Sequence, residues 1–142
     1  QIRHDAYYSI LNSRPGSTAL TTDVCVPISR LTQALEETID EINKSPISGP
    51  IVGHVGDGNF HAILLVEPGN KEELEQAKTL SNSMTQRALK LGGTVTGEHG
   101  IGIGKISYMK QEHGNAWNKM HLIKKSFDPK NILNPGKMFQ SN

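Results

Sequence analysis

Two apolar runs joined by a short glycine-rich turn constrain the fold of this chain more than any other feature of its sequence. Residues 51–55 and 60–66 are mostly apolar, and the sequence GDGN separates them at residues 56–59. An Asp-Gly pair between two such runs is the strongest short-range signal for a β-hairpin. The pattern therefore predicts two antiparallel strands joined by a two-residue type I′ turn at Asp57 and Gly58.

Strand and helix periodicities flank this hairpin on both sides. Their order, strand, helix, strand, strand, helix, strand, is the split βαβ pattern of ferredoxin-like domains. We therefore predict an α+β fold in which an antiparallel sheet carries helices on one face, followed by a C-terminal helical segment. The predicted elements around the hairpin are a strand at residues 21–27, a helix begun by Ser29, a helix begun by a capping box of Asn70 and Glu73 and ended by Gly92-Gly93, a strand at residues 94–96, and a helix near residues 107–127.

Length and charge exclude several classes of protein. The chain has 142 residues, a formal net charge of +1 and 20% charged residues, which is typical of one soluble globular domain. Such a balance implies no nucleic-acid partner. Its apolar runs are shorter than the about 20 residues of a membrane span. The single cysteine, Cys25, lies in an apolar run and is interpreted as a small buried hydrophobe.

The hairpin carries two histidines that a two-residue turn would bring together. Counting outward from Asp57 and Gly58 places His54 directly opposite His61. Opposed side chains share a face, with Cβ atoms about 4.5–5.5 Å apart, so both imidazoles reach one divalent ion. The alternative is that each histidine is a structural residue satisfied by hydrogen bonds.

A second group of chemically active residues follows the last predicted strand. Glu98 and His99 stand between Gly97 and Gly100, at a strand end where catalytic groups are often displayed. Two histidines and one glutamate make a three-ligand site with open positions, which is the arrangement of catalytic metal sites. The alternative reading makes Glu98 a solvated loop charge and His99 a turn residue bonded to the backbone.

The glycine-rich stretch at residues 100–105 is not a nucleotide loop. Walker A requires Gly-x-x-x-x-Gly-Lys-Ser/Thr, and here Ile106 follows Lys105, while the dinucleotide pattern beginning at Gly100 fails because Lys105 occupies its last position. These glycines are expected either to let the backbone approach a flat ligand closely or to form a flexible surface loop.

Four ordered motifs together resemble the C-terminal domain of the FAD-linked oxidases, the family that includes D-lactate dehydrogenase, glycolate oxidase and D-2-hydroxyglutarate dehydrogenase. They are TDVCVPISRL at residues 22–31, GHVGDGNFH at 53–61, GTVTGEHGIG at 93–102 and DPKNILNPGK at 128–137. The resemblance covers nearly the whole chain and is greatest to the mitochondrial D-lactate dehydrogenase branch. It implies a mitochondrial location, with bacterial cytoplasm as the alternative.

The resemblance also implies roles for individual residues. Zinc or manganese would be bound at the positions matching His54, His61 and Glu98, His99 would be the general base, and Arg3 would bind the substrate carboxylate. Asn134 and Lys137 are expected against the flavin or its domain, although Asn134-Pro135-Gly136 also has the composition of a simple tight turn.

The same resemblance implies an activity and its partners. FAD would be held mainly by a separate N-terminal domain, and a 2-hydroxy acid would be oxidised to a 2-keto acid by hydride transfer to the flavin. An acceptor such as cytochrome c or an electron-transfer flavoprotein would reoxidise it. The chain opens at Gln1 as if within a helix, and nothing in it resembles a flavin-binding domain, so we expect a piece of a longer protein that is inactive in isolation.

Other functions stay open on the residues alone. Relatives that act on D-2-hydroxyglutarate have a lysine near the position of Thr21 and an asparagine near that of Ile63, which argues against a second carboxylate on the substrate. A metal-binding regulatory module and a zinc hydrolase are the competing interpretations, because both use the same ligand set without redox chemistry.

Overall fold

A computed structural model describes the backbone of residues 2–139 and the side chains of residues 5–139. The chain divides into two compact units, Gln1–Glu98 and His99–Asn142. The elements of the first unit are helix α1 (Ile2–Asn12), strands β1 (Thr18–Thr21) and β2 (Val24–Cys25), helix α2 (Leu31–Asn43), strands β3 (Ile51–His54) and β4 (Asn59–Val66), and helix α3 (Lys71–Lys90). Those of the second are helices α4 (Met109–His113) and α5 (Ala116–Phe127).

Strand β4 is the centre of the sheet, and all eight of its residues are buried. One edge of β4 pairs with β1 and, further along the same edge, with β2. The other edge of β4 pairs with β3. All three pairings are antiparallel. On the far side of β2, Thr94 forms a single antiparallel bridge with Cys25. Across the sheet the order is therefore Thr94, then the line formed by β1 and β2, then β4, then β3. This arrangement confirms the predicted α+β fold with an antiparallel sheet.

Helices α2 and α3 cover one face of this sheet. Their apolar stripes pack on alternate residues of β4, Phe60, Ala62, Leu64 and Val66, to form the core of the unit. The predicted capping box at α3 is confirmed in part, since the Asn70 side chain accepts a hydrogen bond from the Glu73 amide. The predicted Ser29 cap is wrong. A 3-10 turn at Ile28–Arg30 precedes α2, and no side chain caps the start of this turn or the start of α2.

The predicted strand at residues 21–27 is interrupted at Thr22 and Asp23. Thr22 donates its amide to the Ala62 carbonyl, but the Ala62 amide donates to the Thr22 hydroxyl rather than to the Thr22 carbonyl. The hydroxyl thus takes over one ladder hydrogen bond, which leaves the Thr22 carbonyl available to another partner. The ladder resumes two residues later with β2.

The hairpin turn is longer than the predicted type I′ turn. A 3-10 turn at Val55–Asp57 and the left-handed Gly58 join β3 to β4, so that His54 pairs with Asn59 and Val52 pairs with His61. Gly58 has a φ of +75°, and a Cβ there would lie 2.0 Å from the Val26 carbonyl oxygen. The segment after β2 therefore lies so close to this turn that position 58 requires glycine.

The predicted last strand, residues 94–96, is reduced to the one bridge at Thr94. Beyond it the Gly97 and Glu98 amides donate to the Asp23 carboxylate instead of to a strand. A side chain therefore ends the ladder at this edge of the sheet.

The second unit is helical, as predicted, but the expected single helix over residues 107–127 is divided. Gly114, with a φ of +52°, separates α4 from α5. The Phe139 ring stacks on Trp117 and His121 of α5, at centroid distances of 4.4 and 4.8 Å. Among the helices that the structure describes, none is both long enough and apolar enough to span a lipid bilayer.

Candidate metal and catalytic site

Three of the predicted site residues lie together on the sheet face opposite α2 and α3. His54 Nε2 is 3.5 Å from Glu98 Oε2, and His61 Nε2 is 3.3 Å from Glu98 Oε1. One ligand atom from each of the three residues lies within 4.8 Å of those of the other two. The sequence-based grouping of His54, His61 and Glu98 is therefore reproduced in the first unit.

The two histidines share a face for a different reason from the one predicted. The pairing is shifted by two residues, so His54 and His61 are diagonal rather than opposed neighbours. Because side chains alternate with a period of two along a strand, a shift of two keeps both on one face, whereas a shift of one would separate them. Their ring centroids lie 6.2 Å apart.

The interrupted strand orients the His61 ring. His61 Nδ1 lies 2.9 Å from the Thr22 carbonyl oxygen, the acceptor that the sheet ladder leaves available. A carbonyl oxygen only accepts, so Nδ1 carries the proton, and the lone pair of the neutral ring is on Nε2. That nitrogen is the one directed at Glu98. In metal sites, the ring nitrogen of a ligand histidine that does not bind the metal commonly donates a hydrogen bond to a carbonyl or carboxylate oxygen in this way.

The spacing of these donor atoms fits a divalent ion. Atoms bound at about 2.0–2.2 Å to a tetrahedral ion are roughly 3.3–3.6 Å apart. The two histidine–glutamate distances, one to each oxygen of the Glu98 carboxylate, are 3.3 and 3.5 Å. Imidazole nitrogen and carboxylate oxygen suit zinc or manganese. The same distances also suit an ion pair between an imidazolium and a carboxylate.

Burial is graded across the three residues. The His61 side chain is 8% exposed, that of His54 is 22% exposed and that of Glu98 is 46% exposed. The site thus has one anchored residue at the sheet and one carboxylate open to solvent. An ion held by these three would keep positions accessible to a small ligand, as catalytic metal sites do.

Sequence reasoning missed a buried carboxylate beside the site. Asp23 is 3% exposed, and its partners include Asn59, Thr96 and the amides of Gly97 and Glu98. The signal was an aspartate within the β-branched run TDVCV, where a charged residue is unexpected unless its carboxylate is hydrogen-bonded. Because Asp23 lies in a predicted strand, the sequence pattern indicated no role for its carboxylate.

The other predicted site residues are His99, Asn134, Lys137 and Arg3. His99 is exposed and begins the second unit, which also contains Asn134 and Lys137. The Lys137 amide donates to the Asn134 carbonyl at 3.1 Å, which is the tight turn of the alternative reading. Arg3 lies in α1, but its side chain is outside the described residues. A flavin or substrate contact for these residues stays a prediction.

The glycine-rich loop has room for side chains. A Cβ added at Gly100, Gly102 or Gly104 meets nothing within 4 Å. Close backbone packing within the described chain therefore does not require glycine here, and both predicted uses of the loop remain open.

Cys25 does not add a nucleophile to the site. Burial, followed by the nearby charges of Asp23 and Asp57, raises the pKa of its thiol. Its Sγ donates to the Asp57 carbonyl oxygen at 3.2 Å. The thiol therefore stays protonated near neutral pH. Cys25 lies on a strand, but it is partly buried and not fully buried as predicted.

Residues 1–138 match a known family, described as FAD linked oxidases, C-terminal domain. A probable mitochondrial D-lactate dehydrogenase of Danio rerio is 46% identical over 139 residues, which are 97% of this chain and 28% of that protein. A mitochondrial D-lactate dehydrogenase (cytochrome) of Arabidopsis thaliana is 40% identical over 97% of this chain and 24% of its own length. The glycolate oxidase subunit GlcD of Bacillus subtilis (strain 168) is 36% identical over 98% of this chain and 29% of that subunit. The chain thus spans about a quarter of the length of these curated relatives.

Proposed function

The chain belongs to the FAD linked oxidases, C-terminal domain, family, and we propose that it forms the metal- and substrate-binding part of an FAD-dependent D-2-hydroxy-acid dehydrogenase with D-lactate as substrate. The observation that carries the proposal is the His54, His61 and Glu98 cluster, with the lone pair of His61 Nε2 directed into it. Two relatives named as mitochondrial D-lactate dehydrogenases support the substrate and a mitochondrial location.

In the proposed reaction the substrate loses a hydride from its α-carbon and a proton from its hydroxyl, and the resulting carbonyl makes it a 2-keto acid. When bound, a divalent ion would supply Lewis-acid polarisation of the hydroxyl, and FAD would supply the acceptor for the hydride and its two electrons. His54, His61 and Glu98 would hold the ion.

The remaining residues would bind the substrate and move its proton. His99 directly follows Glu98 in the chain, and an imidazole accepts a hydroxyl proton near neutral pH. Arg3 would hold the substrate carboxylate through a charged, bidentate contact that orients the α-carbon. Asn134 and Lys137 would lie against the flavin or the protein that binds it.

The activity needs partners beyond this chain. The relatives are about four times as long as the matched region, so we propose that the N-terminal remainder of the same protein binds FAD. The Arabidopsis thaliana relative is named a D-lactate dehydrogenase (cytochrome). Cytochrome c is therefore the proposed electron acceptor, with an electron-transfer flavoprotein as the alternative.

Anaerobic mixing of the full-length flavoprotein with D-lactate tests this function. Flavin bleaching is expected in the wild-type protein, and its absence across a panel of 2-hydroxy acids would reject the proposal in favour of a regulatory module or a hydrolase. In metal-saturated protein, His99→Ala is expected to keep metal and flavin but to bleach about 10²–10⁴-fold more slowly. Glu98→Ala is expected to lose metal affinity first. The opposite pattern would mean that the two roles are exchanged.

A further inference from the structure

We propose that Asp23 is the positioning residue of the candidate metal site, acting through Glu98 and His61. This inference rests on the proposed function, since it concerns the same site. Asp23 lies in the interruption between β1 and β2, on the strand segment next to His61.

The Asp23 carboxylate holds the backbone from which Glu98 projects. Its Oδ2 accepts hydrogen bonds from the Gly97 amide at 3.0 Å and the Glu98 amide at 3.2 Å, and from the Thr96 hydroxyl at 3.1 Å. These contacts join positions 73 to 75 residues apart in the chain. The Glu98 side chain is half-exposed, and the attachment of its own amide limits the space that its carboxylate can reach.

The same carboxylate acts on the His61 ring. Asp23 Oδ1 lies 3.6 Å from His61 Nδ1, the atom that donates to the Thr22 carbonyl. A negative charge on this side of the ring favours a proton on Nδ1, which keeps the lone pair on Nε2, directed toward Glu98. One buried group therefore determines the position of one ligand and the tautomer of another.

The packing around Asp23 leaves little freedom to rearrange. Asn59 donates from Nδ2 to Asp23 Oδ1 at 2.8 Å and to the Val24 carbonyl at 3.0 Å. A Cβ on Gly97 would lie 1.6 Å from that Asn59 nitrogen and 2.8 Å from Asp23 Oδ1. Glycine at position 97 is therefore what lets the Glu98 backbone come within hydrogen-bond distance of the carboxylate.

The test compares Asp23→Asn with wild type in the full-length, FAD-loaded protein. Asparagine keeps the shape but replaces one acceptor oxygen by a donor that faces other donors. The affinity of metal-depleted protein for Zn²⁺ and for Mn²⁺ is measured against a competing chelator. We expect Asp23→Asn to bind both ions about 10–100-fold more weakly, the usual effect of losing such a supporting group, with FAD content unchanged.

A buried polar control separates positioning from general destabilisation. Thr38 is fully buried in α2, where its hydroxyl donates to Ala34 and accepts from Arg87. Thr38→Val is expected to lower the unfolding temperature while leaving metal affinity unchanged. Equal losses of metal affinity in Asp23→Asn and Thr38→Val would overturn the inference, and so would wild-type affinity in Asp23→Asn.

A milder pair of variants decides the question if Asp23→Asn does not fold. Thr96→Val removes one hydroxyl donor to Asp23, whereas Thr96→Ser keeps it. Thr96→Val is expected to weaken metal binding several-fold and Thr96→Ser to retain it; equal affinities in the two would overturn the inference.

A wild-type protein that binds neither ion would overturn both this inference and the metal role in the proposed function. If the wild type binds metal and the Asp23 and Thr96 variants bind it equally well, this inference is rejected, but the metal role in the proposed function is not.

Discussion

At the scale of single residues, the two candidate ligand histidines are not equivalent. His61 is nearly buried and its ring is oriented by the Thr22 carbonyl, whereas His54 is more exposed. We therefore predict that His61→Ala lowers metal affinity more than His54→Ala does, because a ligand held in place before binding loses less freedom on binding. Calorimetric titration of metal-depleted full-length protein measures this, with His113→Ala as a control outside the cluster. An equal loss in both variants would contradict the unequal roles.

Gly97 is the residue at which the backbone and the buried carboxylate come closest. Gly97→Ala would place its Cβ 1.6 Å from Asn59 Nδ2, so Asn59 and Asp23 must shift. We predict a lower unfolding temperature together with weaker metal binding. Gly56→Ala is the matched control, since a Cβ there meets nothing within 4 Å. Similar unfolding temperatures for the two variants would show that the loop at Gly97 yields more easily than the geometry implies.

At the scale of elements, an ion pair joins the segment after α1 to the start of α3. Arg14 donates to both carboxylate oxygens of Glu73, at 2.8 and 2.9 Å, and this contact, followed by the Glu67 amide, holds the pKa of Glu73 below its usual range. A lowered carboxylate pKa stabilises the folded state above the unfolded pKa, and that contribution disappears as pH falls through the folded pKa.

Glu73→Gln is therefore expected to lower the free energy of unfolding at about pH 7, whereas the difference from wild type should shrink toward about pH 3, below the ordinary glutamate pKa of ~4.3. Urea denaturation at the two pH values measures it. Glu75→Gln, which removes an exposed pair with Lys78, should have little effect at either pH. A Glu73→Gln difference that persists unchanged at low pH would indicate a contribution from packing instead of charge.

At the scale of the whole molecule, the proposed activity depends on a metal that this chain would hold and a flavin held elsewhere in the protein. Chelator-treated full-length protein is expected to retain its FAD but to lose D-lactate oxidation, because the substrate hydroxyl is no longer polarised. Addition of Zn²⁺ or Mn²⁺ should restore the rate of acceptor reduction. Full activity in protein shown by elemental analysis to be metal-free would exclude the metal role.

The fold class and the candidate ligands follow from the amino-acid sequence alone. The strand and helix order follows from local apolar periods and glycine stops, and His54, His61 and Glu98 were identified from a hairpin and a motif. Even the wrong turn length left the histidines on the correct face, because the actual register differs by two residues.

The way in which those candidate ligands are held depends on tertiary contacts. The interruption at Thr22 and Asp23 depends on hydrogen bonds to Ala62, 40 residues away, and to the Gly97 amide, 74 residues away. Gly58 of the four-residue turn lies against the Val26 carbonyl, a contact between segments that are distant in the sequence. Local patterns report the preferences of neighbouring residues. They carry no information on which distant amide a buried carboxylate will meet, because that pairing exists only once the sheet has formed.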